Sequence, residues 1–123
     1  MLRYRTLVEV LGQVNTAEVH GALLFNREGL LLAYHGYASD GAANVNAALI
    51  SSIWEAFDRK GGREELREIL LVCEDGMLGA TRVANMLLAL KATSRVQPGL
   101  LRAKLRTLAD YLDEPITLVS KNN

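Results

Sequence analysis

Two short apolar runs around a polar turn constrain the fold of this chain more than any other feature of its sequence. Residues 19–25 read VHGALLF and residues 30–34 read LLLAY, and the turn NREG at residues 26–29 joins them. Two apolar runs separated by a short polar turn that ends in glycine predict a β-hairpin. Both runs are apolar at successive positions, so the strands need cover on both faces. The sequence therefore predicts a sheet that lies between two layers of helices.

Three further strands are predicted in the second half of the chain. They occupy residues 66–73, 77–83 and 86–92, with tight turns at Glu74-Asp75-Gly76 and at Ala84-Asn85. An Asp-Gly pair between apolar runs is typical of a tight hairpin turn. Short hairpin connections join antiparallel neighbours, so we expect one antiparallel sheet of five strands. We expect Asn85 to take the special turn conformation, and Arg82 to reach back to a carboxylate.

Helical periodicity predicts three helices, over residues 2–14, 42–59 and 98–112. Either Ser39 or Asp40 is predicted to cap the start of the second helix, which is expected to stop at Gly61-Gly62. Pro98 suits the first position of the third helix, and Pro115 is expected to follow its end. The predicted order is α-β-β-α-β-β-β-α in a single domain over residues 1–123. The fold class is a three-layer α/β/α sandwich.

The composition excludes several functional classes. The chain has 123 residues, with 14 basic and 14 acidic side chains and a formal net charge of zero. That balance lacks the electrostatic footprint of a nucleic-acid-binding protein. Cys73 is the only cysteine, which rules out an internal disulfide and a cysteine-based zinc cluster. No apolar run approaches the ~20 residues of a membrane-spanning helix. We therefore expect a cytoplasmic chain that another protein holds at any membrane.

The middle helix is apolar on two adjacent sides when it is placed on a helical wheel. The first stripe consists of Ala42, Val45, Leu49, Ile53 and Ala56. The second stripe consists of Ala43, Ala47, Ile50, Trp54 and Phe57. A helix that lies on one sheet buries one such stripe, and soluble monomers avoid a large exposed apolar patch. We expect the second stripe to meet a partner chain, the alternative being that another part of the same chain covers it.

The strand after the middle helix is predicted to extend this partner contact. It contains no proline and no charged residue from Ile69 to Cys73, so its central part lacks the usual protection of an edge strand. If it lies at an edge of the sheet, two chains can join their sheets there. We expect Ile69, Leu71 and Cys73 to line the contact together with the second stripe.

The sequence contains no recognisable catalytic constellation. His20 and His35 have no metal-ligating partners at a suitable spacing, and Cys73 lies in an apolar strand. The glycines show no phosphate-binding spacing. We therefore expect no enzymatic activity, no cofactor and no metal. Four basic residues near the last helix form either a solvated face or a surface for an acidic partner: Arg95, Arg102, Lys104 and Arg106.

Several short segments, in this order and spacing, resemble the Roadblock/dynein-light-chain superfamily. They are residues 23–29 (LLFNREG), 31–34 (LLAY), 53–59 (IWEAFDR), 81–85 (TRVAN) and 111–115 (YLDEP). More narrowly, the chain is similar to the subunit 2 branch of the late endosomal and lysosomal adaptor complex called Ragulator. The resemblance covers nearly all of the chain.

The resemblance implies a profilin-like fold with one helix on one face of the sheet and two on the other. It implies a dimer seam formed by the lone helix and the following strand. It further implies a non-catalytic scaffold that pairs with a paralogous roadblock subunit, on late endosomes and lysosomes, through a lipidated anchor subunit. Such a scaffold presents Rag-type GTPases for TOR signalling and supports MAP kinase signalling. The alternative is a homodimeric roadblock protein that acts as a dynein light chain or a small-GTPase regulator.

Overall fold

The computed structural model describes residues 4–60 and 65–121, and within them the predicted order of helices and strands is confirmed. The Gly61-Gly62 stop signal lies outside the described residues. The elements are α1 (Tyr4–Gly12), β1 (Val19–Asn26), β2 (Leu31–His35), α2 (Asp40–Lys60), β3 (Glu68–Cys73), β4 (Gly76–Val83), β5 (Met86–Ala92) and α3 (Pro98–Lys121).

The five strands form one antiparallel sheet in the order β2-β1-β5-β4-β3. The β3–β4 hairpin pairs Glu68 with Thr81 and Cys73 with Gly76. Strands β2 and β3 are the two edges of the sheet. The edge position of β3, on which the predicted partner contact depends, is therefore confirmed. Among the residues that the structure describes, each edge leaves one row of backbone N–H and C=O groups without a strand partner.

Helices cover both faces of the sheet, as the doubly apolar strands required. Leu23 and Phe25 of β1 point toward α2, whereas Ala22 and Leu24 point toward α1 and α3. All four side chains are fully buried. Successive side chains of a strand alternate between its faces, so an unbroken apolar run supplies both cores at once.

The α1 and α3 side has its own tightly packed core. Leu11 of α1 and both Leu101 and Leu105 of α3 are fully buried there. A Cβ built at Gly79 of β4 would lie 3.3 Å from a methyl carbon of Leu101. The absence of a side chain at this glycine therefore lets α3 approach the sheet closely.

The predicted end of α3 at Leu112 is wrong, because the helix continues through Pro115 to Lys121. Proline lacks a backbone N–H, so the carbonyl of Tyr111 loses its normal helical partner. Tyr111 is exposed, and Ile116, one residue after the proline, is buried in the α1 and α3 core. The burial of Ile116 favours a continued helix over the local stop signal.

Two of the predicted local features are confirmed. The Oγ of Ser39 accepts the N–H of Ala42 at 3.1 Å, so Ser39 caps the start of α2. Arg82 reaches a carboxylate, since its guanidinium donates to Glu65 at 2.9 Å. In the β4–β5 turn, however, the positive φ of 53° belongs to Ala84, and not to Asn85 as predicted.

Candidate protein-interaction surface

The packing of α2 reverses the two stripes that the helical wheel defined. Ala43, Ala47, Ile50 and Trp54 are fully buried against the protein's own sheet, although the sequence analysis assigned them to a partner contact. The two alanines keep the first half of the helix close to the sheet, and the larger side chains fill the space beneath the second half. Side chains with no exposed surface in the single chain offer a partner nothing to contact.

The first stripe therefore faces outward and gives α2 an exposed apolar flank. Leu49 is 45% exposed and Val45 still more so, while Ile53 is half-buried. Phe57, from the second stripe, lies near the end of the helix and is 59% exposed. The helix is thus apolar on two sides, as predicted, but the outward side is built mainly from the stripe that was assigned to the sheet.

Strand β3 continues this flank across the sheet. Ile69, Leu71 and Cys73 point toward the α2 side, where they pack against its core and remain partly exposed. Helix α2 approaches β1 and β2 most closely and shares its core with β4 and β5, so these side chains of β3 are only partly covered. We call the resulting surface the seam: Val45, Leu49, Ile53 and Phe57 of α2 with Ile69, Leu71 and Cys73 of β3.

An ionic cluster fixes the end of α2 and the chain that leads into β3. The Asp58 carboxylate accepts the Arg27 guanidinium at 2.7 Å and the backbone N–H of Leu66 at 3.2 Å. The same Arg27 nitrogen also donates to Glu55 at 3.3 Å. The Leu66 N–H, followed by Arg27, holds the pKa of Asp58 below its usual range, and the hydrogen bond to Asp58 raises the pKa of Arg27. The charges thus hold the β1–β2 turn and the start of the edge strand on α2.

A buried serine joins the same turn to the middle of α2. The Ser51 hydroxyl donates to the backbone carbonyl of Arg27 at 2.6 Å, and Ser51 is buried. Sequence analysis missed this residue, because it lies on the polar arc of the helical wheel. The sequence feature that could have indicated it is a small hydroxyl side chain next to the buried stripe of the helix. Such a hydroxyl can donate a hydrogen bond to a backbone carbonyl of a neighbouring turn.

Several other chemical candidates of the sequence form structural contacts between separate elements. His35 Nδ1 lies 3.0 Å from the side-chain nitrogen of Asn15. Arg102 and Arg106 both donate to Glu68, and Lys104 donates to the Val14 carbonyl at 3.4 Å. Across residues 4–60 and 65–121, no three His, Cys, Asp or Glu side chains are arranged to hold a metal ion.

No helix within these described ranges is both long enough and apolar enough to span a membrane.

The three-layer sandwich, with an exposed apolar helix flank and an open sheet edge, has the geometry of a small protein-interaction domain. The chain matches the Roadblock/LC7 domain over residues 7–92, and it belongs to that family. It is 52% identical over 122 residues to the Ragulator complex protein LAMTOR2 homolog of Caenorhabditis elegans. That alignment covers 98% of this chain and 97% of the relative.

Solved structures share the same fold at low sequence identity. The Roadblock/LC7 domain from Streptomyces avermitilis has a TM-score of 0.78 at 20% identity, covering 90% of this chain and 95% of its own. The gliding protein MglB from Thermus thermophilus has a TM-score of 0.74 at 20% identity, and the match covers 90% of this chain and 88% of MglB. Profilin IB of Acanthamoeba castellanii has a TM-score of 0.56 at 20% identity, and the match covers 92% of this chain and 98% of the profilin. These likenesses support the fold alone.

Proposed function

We propose that this chain is a non-catalytic adaptor subunit that works as one half of a roadblock heterodimer. The observation that carries the proposal is the seam, in which the exposed flank of α2 lies beside the open edge of β3. Exposed apolar side chains on the same side of a sheet as an open edge strand are typical of a protein–protein contact. A second roadblock subunit has the matching helix and strand to cover both parts.

The seam suggests how the two chains meet. The β3 strand of the partner pairs with β3 of this chain and joins the two sheets, using the unpaired backbone groups of the edge. The partner's central helix then lies against Leu49, Ile53 and Phe57. Ile69 and Leu71 are covered from the α2 side in the same step.

The wider assembly in this proposal is a Ragulator-like complex on the cytosolic face of late endosomes and lysosomes. Its support is the 52% identity to a relative named as a Ragulator complex protein, over nearly the full length of both chains. A lipidated subunit supplies the membrane anchor in this assembly. The complex recruits Rag-type GTPases and supports TOR and MAP kinase signalling.

Affinity purification of the tagged full chain from its own cells, followed by mass spectrometry, tests this assignment. The proposal predicts a second, different roadblock protein in about equal amount, together with a lipidated subunit and Rag-type GTPases. Recovery of the chain with only further copies of itself contradicts the heterodimer. That result would favour the homodimeric alternative, a dynein light chain or a small-GTPase regulator.

Charge substitutions in the seam test its role directly. The full chain is co-expressed with that roadblock partner, and binding is measured for Leu49→Glu and Phe57→Glu. Each variant should weaken binding by about thirtyfold or more, which corresponds to about 2 kcal/mol for a central interface residue. Leu118→Glu is the matched control, because Leu118 is an exposed leucine on α3, on the opposite layer. Equal losses for seam and control variants would contradict the seam.

A further inference from the structure

The second edge of the sheet carries a groove that the proposed dimer does not use. It has a volume of about 340 Å³ and lies along β2, between the start of α1 and the start of α2. Its walls include Tyr4 of α1, Leu30 and Leu32 at β2, and Asp40 of α2. Three separate elements therefore contribute to one concave surface at a sheet edge.

The groove is lined by large apolar side chains that the chain does not bury. Leu30 is 68% exposed and Leu32 is 47% exposed, and the ring of Tyr4 is exposed beside them. Leu24 pairs with Ala33 and the next residue, Phe25, pairs with Leu31, so Leu32 is the extra residue of a β-bulge. A bulge re-aims a side chain, and here it leaves Leu32 exposed on the groove.

The same groove has an acidic end. The carboxylate of Asp40 accepts a hydrogen bond from the Tyr34 hydroxyl, and this contact raises the pKa of Tyr34. A phenol carries no charge to balance the carboxylate. Among the residues that the structure describes, no lysine, arginine or histidine forms a salt bridge with Asp40.

Strand β2 adds backbone groups to this surface. It contains no proline and no charged residue, and Ala33, Tyr34 and His35 follow the bulge in regular pairing with β1. Their outer backbone groups have no strand partner in the sheet. An extended segment can therefore hydrogen-bond to this edge while its side chains enter the groove.

We propose that the β2 edge binds a short extended segment of another protein, which carries apolar side chains and one lysine or arginine. The apolar side chains contact Leu30, Leu32 and Tyr4. The cation pairs with Asp40. The charge of Asp40 favours a basic segment over an acidic one, and the open edge favours an extended segment over a helix.

This site is independent of the seam. At 100° per residue, Asp40 and Asn44 lie on the flank of α2 opposite Leu49 and Ile53. Strands β2 and β3 are opposite edges of the sheet. The groove therefore stays open when a partner covers the seam, and its occupant is not the roadblock partner.

A random library of twelve-residue peptides displayed on phage tests the proposal against the purified full chain. Selection should enrich peptides with alternating apolar residues and a lysine or arginine. Synthetic versions should shift the amide NMR signals of residues 31–35. Leu32→Ser should weaken their binding by about tenfold or more, as expected for the loss of a buried leucine contact.

Two further variants separate the contribution of the Asp40 charge from effects that any surface substitution could have. Asp40→Asn should weaken binding by about fivefold, the effect of about 1 kcal/mol for an exposed ion pair. Leu118→Ser removes a similarly exposed leucine that does not line the groove and should leave binding unchanged. Thermal unfolding verifies that each variant is folded.

Three results would overturn the proposal: failure to enrich any peptide, enrichment of acidic peptides, or binding that Leu32→Ser leaves intact. None of these results bears on the seam.

Discussion

Asp58, near the end of α2, accepts the backbone N–H of Leu66 at 3.2 Å, just before the edge strand β3 begins. Its other carboxylate oxygen accepts Arg27 at 2.7 Å. One side chain therefore connects the helix of the seam to the segment that leads into its strand. This carboxylate therefore helps to fix where the chain enters β3 relative to the end of α2.

The first prediction concerns the pH dependence of this contact. The pKa of Asp58 is lowered in the folded protein, so its ionised form stabilises the fold above the ordinary aspartate pKa of about 3.9. That stabilisation is lost as the pH falls through the lowered folded value. Asp58→Asn should thus reduce the free energy of unfolding at neutral pH, and the difference from wild type should shrink below about pH 4. Urea unfolding near pH 7, 5 and 3 measures it, and a difference that grows in acid would contradict the assignment.

A second prediction tests the corrected orientation of α2 with two neighbouring residues. Ile50 is fully buried, so Ile50→Ala should lower the free energy of unfolding by about 3 kcal/mol through the cavity it leaves. Leu49→Ala should change stability by less than about 0.5 kcal/mol and should weaken partner binding about tenfold. Chemical unfolding of the unpaired chain and titration with the partner measure the two effects. The reverse pattern would restore the orientation expected from the helical wheel.

The third prediction concerns the glycine that directly follows β2. Gly36 has a φ of +83°, and a Cβ at this position would lie 1.8 Å from the carbonyl oxygen of His20. Gly36→Ala should therefore cost about 3 kcal/mol or more, since the backbone must shift. Gly99→Ala is the matched control, because a Cβ there meets nothing within 4 Å. It lies in α3 and should raise stability by about 0.5 kcal/mol. Thermal unfolding of both variants provides the comparison.

The sheet could be predicted from the sequence because its signals are local. Consecutive apolar residues such as Leu23, Leu24 and Phe25 require cover on both faces, and hairpin turns fix the antiparallel pairing. The placement of β3 at an edge was a conditional expectation, which the strand order confirms. The prediction of a helix ending before Pro115 failed because a local rule competed with the burial of Ile116.

The orientation of α2 could not be predicted from periodicity, since both of its sides are apolar. The choice depends on how closely the helix approaches the sheet, which Ala43 and Ala47 permit. The Asp58–Leu66 contact could not be predicted either, because it depends on the position of Leu66 relative to α2 in the folded chain. The groove at β2 depends on the bulge at Leu32, which follows from pairing with β1 and not from the pattern of β2 itself.

Backbone hydrogen exchange of β3 in the full chain, measured alone and with its roadblock partner, tests the seam most directly. In the free chain, outward-facing amides within residues 69–73 have no strand partner and should exchange fast, whereas those of β5 should be protected. Addition of the partner should slow exchange in residues 69–73 and leave β2 unchanged. Exchange in β3 that the bound partner does not alter would contradict the proposal that these strands join two sheets.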